Sequence, residues 1–290
     1  MPLTRKDLLL LTPAWLAVAW LISRAQWFWS HWPDLQFGWV LLGLSGYLIW
    51  ESWQTAPPLA PRLGVSFFAA FLPGVAFLLL FQVYQAAMGI SPASLWGLAL
   101  GVMAVVAANL LIIGGGHWLR HFIVAFGFLL LALPLPSIIH GPLIGGLQQG
   151  IATINVELLN LTGVPAQRLG NLIALPNCTV GVDEACSGIR SFQSAVMATL
   201  FIGQVSLSGG GVRFLLFGAG VILALLGNLL RSFALSYAAS QRGVSAVHDI
   251  HDAAGWSILA ATVAGTLLVA SLLRRLESSQ DHETQAKPQK

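Results

Sequence analysis

The stretch ASLWGLALGVMAVVAANLLII, residues 93–113, decides the fold class because it holds no ionisable side chain. A helix of about 20 such residues crosses the ~30 Å hydrocarbon core of a bilayer. Comparable apolar runs recur along the whole chain. The eight candidate spans are 8–23, 35–50, 63–85, 93–113, 119–139, 188–207, 212–240 and 253–273. We therefore predict an all-α integral membrane protein with about eight transmembrane helices.

The composition agrees with this prediction. Of the 290 residues, 56% are hydrophobic and 9% are charged, which leaves too few polar side chains to cover a soluble globule. The 30 Gly and 11 Trp are typical of spanning helices with aromatic ends. The formal net charge is only +3 and no basic stripe is present, so nucleic acid is not an expected partner. The lipid bilayer is the predicted partner of most of the surface.

The distribution of Lys and Arg predicts the orientation of the spans. With the N-terminus inside, nine of the 14 basic side chains fall on the inner side and five on the outer side. The outer five are Arg24, Arg168, Arg190, Arg231 and Arg242. Both termini are therefore expected in the cytoplasm, and the longest loop, residues 134–187, on the outer face of the cytoplasmic (inner) membrane.

This outer loop is predicted to contain two elements. Residues 143–161, LIGGLQQGIATINVELLNL, mix amides and a carboxylate with apolar side chains, which favours an amphipathic or re-entrant helix over a ninth span. Short apolar runs at 172–175 and 179–182 flank the turn-prone Pro176-Asn177-Cys178, which predicts a small β-hairpin.

The two cysteines, Cys178 and Cys186, both lie in this loop region. Cys186 belongs to ACSGIRS, residues 185–191, at the start of the sixth span. A helix N-terminus and the nearby Arg190 favour a thiolate, and Gly188 leaves room for a substrate carbonyl to reach backbone amides. Two alternatives remain open: a small apolar residue without chemistry, or a disulfide between the two cysteines at an oxidising membrane face.

The seventh span carries Asn228 and Arg231. Because residues three apart share a helix face, a carboxamide and a guanidinium would point together into the bundle or its outer mouth. A guanidinium binds carboxylates or an oxyanion through a planar fork. The alternative is that Arg231 extends to the lipid headgroups.

Two histidines precede the eighth span in HDIHDAAGW, residues 248–256. Histidine accepts and returns protons near neutral pH, so either His248 or His251 suits acid–base catalysis. Alternatives are interfacial polar residues beside an anchoring Trp256, or a His/Asp metal site. Because no further ligand cluster accompanies them, we predict neither a metal nor a cofactor.

Taken together, these motifs resemble the exosortase and archaeosortase family of polytopic membrane cysteine transpeptidases. The resemblance covers roughly residues 120–270 and rests on Cys-Ser-Gly-Ile-Arg, Asn-x-x-Arg and His-x-x-x-Gly-Trp in that order, with Leu-Pro-Leu-Pro at 133–136. It implies a catalytic set of Cys186, Arg231 and His251, with His251 chosen because it has Gly-Trp at the expected offset. Cys178 has no counterpart in the motif.

The resemblance also implies an organisation and a function. Residues 1–118 would be N-terminal spans, 119–276 the catalytic core and 277–290 a disordered cytoplasmic tail. The enzyme would cleave the C-terminal sorting signals of exported proteins at the outer membrane face through a thioacyl intermediate. Such substrates end in a short motif, typically Pro-Glu-Pro, then a span and a basic cluster. Arg190 and Asn228 are assigned to substrate binding, and a basic pocket at Arg190 and Arg231 suits the glutamate of that motif.

A non-catalytic membrane subunit or a transporter of an exopolysaccharide export or assembly system is the alternative function. A structural subunit would need no free thiol. A transporter would predict polar residues at the membrane midplane in paired broken helices, and the sequence does not show that pattern.

Overall fold

The structure, a computed structural model, describes residues 5–181 and 189–286. Helices dominate it, as predicted, and the two compact units of the chain are Met1–Ile139 (unit 1) and His140–Lys290 (unit 2). The helices are α1 (Arg5–His31), α2 (Gly38–Gln54), α3 (Val65–Met88), α4 (Pro92–Phe128), α5 (Ser137–Leu161), α6 (Ile189–Ser206), α7 (Gly210–Arg242) and α8 (Val244–Ala286). Short 3-10 helices lie at Pro33–Leu35 and Leu129–Ala132.

Several of these helices can cross a membrane. Within the described ranges, four are long and apolar enough: Val65–Met88, Pro92–Ala132, Gly210–Arg242 and Ala253–Ser279. Phe192–Ser206 is apolar but shorter, and α2 has only 17 residues. The chain is therefore a multi-pass membrane protein. α8 continues to Ala286, through residues 277–286 that the sequence assigns to a disordered tail.

In unit 1, α4 is broken at two glycines. Gly114 has φ −154° and ψ 18°, and Gly115 has φ 67°, a conformation that glycine adopts without steric cost. Nε1 of Trp96, near the start of α4, donates to the carbonyl oxygen of Pro134 at 2.9 Å. The segment therefore doubles back as two antiparallel arms, which correspond to the predicted spans 93–113 and 119–139.

Backbone amides of the segment between α2 and α3 donate hydrogen bonds to the last carbonyl groups of the first arm of α4, which ends near Ile113. The amides of Ala60 and Arg62 donate to the carbonyl oxygens of Ile113 and Ile112 at 3.0 and 2.8 Å. These are carbonyls that a helix end leaves without an internal partner. The second arm begins with Trp118, which is 2% exposed and stacks on Phe122. Unit 1 thus has a buried core that is rich in aromatic side chains.

Unit 2 contains the elements of the loop that the sequence predicts to lie outside. α5 begins six residues before the predicted start, and its buried positions Ile144, Ile151, Ala152, Asn155, Val156 and Leu159 follow a helical period. The predicted hairpin is confirmed as β2 (Leu172–Ala174) paired antiparallel with β3 (Thr179–Gly181). A further strand, β1 (Gln167–Leu169), pairs with β2, giving the order β1-β2-β3.

Candidate active site

The predicted site residues differ in how far the structure describes them. Cys186 lies within residues 182–188, outside the described part of the chain, and so do the side chains of Arg190 and His251. The backbone of Arg190 belongs to the first turn of α6, and that of His251 to the early turns of α8. The side chains of Asn228 and Arg231 lie within the described part of the chain, so the geometry of the site is built from them.

Asn228 and Arg231 lie at the buried face of α7. This face follows a four-residue spacing through Leu216, Gly220, Ala224, Asn228, Ser232 and Ser236, with Leu235 and Ala239 beside it. The Asn228 side chain is 1% exposed, and Arg231, three residues later, is half-buried. Asn228 is therefore on the buried side of α7 and Arg231 lies at the edge of that side, while their functional roles stay predictions.

The guanidinium of Arg231 packs against α8 at Gly255. A methyl group added to Gly255 would lie 3.5 Å from Nη2 and 3.6 Å from Cζ of Arg231. The same helix pair continues with Gly227 opposite Ile258 and Gly265 opposite Leu223. α7 and α8 are therefore antiparallel, with small residues at the crossing that let the two backbones approach.

His251 precedes Gly255 by four residues and His248 precedes it by seven. Positions at these spacings share one face of a helix. At 1.5 Å per residue, residue 251 is about 6 Å from the Arg231 contact along the α8 axis, and residue 248 about 10 Å. The backbone geometry therefore brings position 251 nearer to Arg231 than position 248.

α6 packs antiparallel to α7, with Gly220 in contact with Thr199 and Gly203 within 3.7 Å of Leu216, measured from an added methyl group. Because the two helices run in opposite directions, each step of one residue toward the start of α6 corresponds to a step of about one residue toward the end of α7. Ile189, where α6 begins, is consequently level with about residue 230 of α7. Cys186 precedes Ile189 by three residues in the sequence.

The opposite end of this three-helix bundle is held by two side chains that the sequence did not single out. Arg213 donates from Nε and Nη2 to the Leu207 carbonyl oxygen at 2.9 and 2.7 Å, at the end of α6. The Glu277 carboxylate of α8 accepts from the amides of Ser208 and Gly209 at 3.2 and 2.7 Å. These bonds satisfy helix-end groups and fix how the helices are aligned.

The small sheet is attached to the Arg231 end of α7. Ile151, Ala152, Val156 and Leu159 of α5 form a buried cluster with Ile173 of β2 and with Leu235 and Ala239 of α7. Val180 of β3 packs against this cluster. The last strand before residues 182–188 and the first turn after them are thus both held near the Arg231 end of the bundle.

Cys178 lies beside the same cluster. Its thiol is free and half-buried, with Sγ 3.7 Å from the carbonyl oxygen of Ala239. The predicted alternative of a pairing with Cys186 involves a residue outside the described ranges and stays a prediction. Across residues 5–181 and 189–286, no group of three His, Cys, Asp or Glu side chains could hold a metal ion.

Fold and site together define a multi-pass membrane protein with a polar, arginine-containing site at one end of a three-helix bundle. A family model described as transmembrane exosortase, the EpsH family, matches residues 29–268. The chain belongs to this family. Comparison with curated proteins gave no match, and comparison with solved structures gave none either. The family match reaches into the spans of unit 1, well before the motif region that begins near residue 120.

Proposed function

We propose that this exosortase-family protein is a membrane cysteine protease or transpeptidase whose catalytic residues are Cys186, Arg231 and His251. One observation carries the proposal: the start of α6, the Arg231 guanidinium and the turn of α8 next to His251 share one level of the three-helix bundle. Cys186 is three residues before Ile189, the first residue of α6. Since three residues of extended chain span at most about 11 Å, the covalent chain keeps Cys186 within about that distance of Ile189.

The chemistry follows covalent catalysis. The Cys186 thiolate attacks the substrate carbonyl, which forms a C–S bond and an oxyanion. Arg231 and backbone amides stabilise that oxyanion. The C–N bond then breaks, and His251 gives its proton to the leaving amine. Water, an amine or a surface glycan then attacks the thioacyl group and gives a proton to the now neutral His251. The C–S bond breaks and the thiolate returns, giving hydrolysis or transfer.

Neighbouring polar residues are assigned to substrate binding. Asn228 is one helical turn from Arg231 on the buried side of α7, and Arg190 is in the first turn of α6. An acidic residue in the sorting motif would meet two guanidinium groups here, and charge-assisted hydrogen bonds to a carboxylate are stronger than neutral ones. The substrates on this proposal are exported proteins that end in a sorting motif, a span and a basic cluster.

The proposed topology has eight spans, counting both arms of α4, with the termini in the cytoplasm. The charge distribution supports it, since nine basic residues then lie inside and five outside. The catalytic end of the bundle would face outward from the inner membrane. This orientation suits an enzyme that acts on proteins after export.

Thiol labelling in intact cells tests this function. In a Cys178→Ser background, a membrane-impermeant maleimide should label Cys186 rapidly from outside, and a co-expressed substrate with a C-terminal sorting signal should still be cleaved. Adding Cys186→Ala should remove both labelling and cleavage. Cleavage that survives Cys186→Ala would end the cysteine mechanism. Cleavage lost equally in Cys178→Ser would mean that the two cysteines act as a pair.

A further inference from the structure

A cleft between α6 and α8 lies at the end of unit 2 that is far from Arg231. Its volume is about 400 Å³. The lining residues are Ile202, Ser206, Leu267, Ala270, Ser271, Arg274, Arg275 and Ser278. The proposed chemistry uses none of them.

The polarity of the cleft changes along α8. Leu267 and Ala270 line it with Ile202 from α6, which makes this part apolar. One turn further along α8 come Arg274 and Arg275, and hydroxyl groups flank them. An amphiphilic ligand with an anionic head and a hydrocarbon tail matches this gradient.

The position of the arginines along α8 corresponds to a membrane surface. Trp256, near the other end of the helix, is 73% exposed and suits an interfacial aromatic anchor. The 18 residues from Trp256 to Arg274 span about 27 Å of helix, close to the hydrocarbon thickness of a bilayer. If Trp256 lies at one interface, Arg274 and Arg275 lie at the headgroup level of the opposite leaflet.

The carboxylate of Glu277, three residues after Arg274, is used elsewhere. Glu277 is engaged with the amides of Ser208 and Gly209 at the start of α7. Among the residues that the structure describes, neither the Arg274 nor the Arg275 guanidinium has a hydrogen bond or an ion pair, and both side chains are exposed. Within the part of the chain that the structure describes, two adjacent cations beside an apolar cleft therefore have no anionic partner.

We propose that this cleft binds an anionic phospholipid, with its phosphate on Arg274 and Arg275 and an acyl chain along Ile202, Leu267 and Ala270. Guanidinium groups bind phosphate oxygens in a forked geometry, and basic pockets between membrane helices favour acidic headgroups. The proposal does not depend on the catalytic assignment, because the cleft is at the other end of the bundle.

Native mass spectrometry of the full chain in detergent tests the proposal, with phosphatidylglycerol as the probe and phosphatidylcholine as its zwitterionic counterpart. Wild-type protein should retain phosphatidylglycerol preferentially. The double variant Arg274→Gln/Arg275→Gln should bind it about 30-fold more weakly. The double variant Arg62→Gln/Arg120→Gln, which removes two exposed charges of unit 1, is the matched control and should bind like wild type.

A third variant separates a cleft from a charged surface. Ser271→Phe keeps both arginines and fills the cleft, and the Ser271 hydroxyl bonds only to its own helix at the Leu268 carbonyl oxygen. Loss of phosphatidylglycerol in this variant supports the lipid site. Unchanged retention in Ser271→Phe, unchanged retention in Arg274→Gln/Arg275→Gln, or full displacement by inorganic phosphate would each overturn it.

Discussion

The two units of the chain bury different side chains. In unit 1 the described polar residues that are buried are Ser45, Gln85, Ser94 and Asn109, among many large apolar ones. In unit 2 they are Asn155, Thr199, Asn228, Ser232, Ser236, Thr262 and Thr266, in a smaller core. Ten of the 11 tryptophans belong to unit 1, and unit 2 has only Trp256.

We interpret this contrast as a scaffold in unit 1 and the proposed catalytic residues in unit 2. Burying a polar group lowers stability unless it is hydrogen-bonded, and the Thr199 and Thr266 hydroxyls bond within their own helices. Buried ionisable or amide groups in a membrane helix, such as Asn228 beside Arg231, more often serve a function. In unit 2 the buried polar residues Asn228 and Ser232 of α7 lie on either side of Arg231 in the sequence. We therefore assign chemistry to unit 2 and stability to unit 1, and the following substitutions test that division.

The largest difference that we expect within unit 2 is between His248 and His251. His251→Ala should lower sorting-signal cleavage by about 100- to 10,000-fold, because the leaving amine then lacks a positioned acid. His248→Ala should lower it much less, since position 248 is a turn further from the Arg231 contact. Cleavage rates of a co-expressed substrate, normalised to membrane levels by blot, measure both. An inactive His248→Ala beside an active His251→Ala would reverse our assignment but keep the reaction class.

Arg231→Lys is expected to have the next largest effect. The charge remains but the planar fork is lost, which should raise the barrier by about 2–4 kcal/mol if Arg231 stabilises the oxyanion. The same assay measures this loss. Near-normal cleavage by Arg231→Lys would instead favour an arginine that only reaches toward lipid headgroups.

Substitutions at Gly255 test whether the contact between Arg231 and α8 matters for cleavage. Gly255→Ala adds a methyl group at an ordinary van der Waals distance from the guanidinium, so cleavage should change by about threefold at most. Gly255→Leu places a branched side chain where the guanidinium lies, and the loss should approach that of Arg231→Lys. Equal activity of the two variants would mean that the contact between Arg231 and α8 does not position the catalytic group.

The smallest effect on chemistry is expected in unit 1. Trp118 is 2% exposed and lies 5.6 Å from Trp53 and 5.2 Å from Phe122, measured between ring centroids. Trp118→Ala should destabilise the protein by about 3–5 kcal/mol and reduce its membrane level. Cleavage per folded molecule should stay near wild type. A selective loss of rate with normal abundance would assign unit 1 a part in catalysis.

The sequence predicted the local features of this molecule well. The apolar runs, the break near Gly114 and the β2–β3 hairpin follow from hydropathy and turn residues, which act over short distances. β1 was not predicted because Gln167–Leu169 is too short to show an alternating apolar pattern. This strand is recognised only by its antiparallel pairing with β2. The motifs identified the family, but the family match from residue 29 extends over spans that carry only general hydrophobicity.

The alignment of the three helices in unit 2 could not be predicted. It depends on contacts between residues far apart in the chain, such as Arg231 with Gly255 and Glu277 with the amide of Gly209. The sequence predicts that Cys186, Arg231 and His251 lie on one side of the membrane. It did not indicate that position 251 lies one helical turn from the Arg231 contact.

The proposed mechanism requires that Cys186 lies at the same end of the α6–α8 bundle as His251. Thiol cross-linking tests it most directly, in a Cys178→Ser background that carries either His251→Cys or Ser271→Cys. Residues 251 and 271 are about 30 Å apart along α8. A short bis-maleimide, followed by mass spectrometry of the digested protein, should join Cys186 to position 251 and not to position 271. A cross-link to position 271, or equal yields at both positions, would contradict the account.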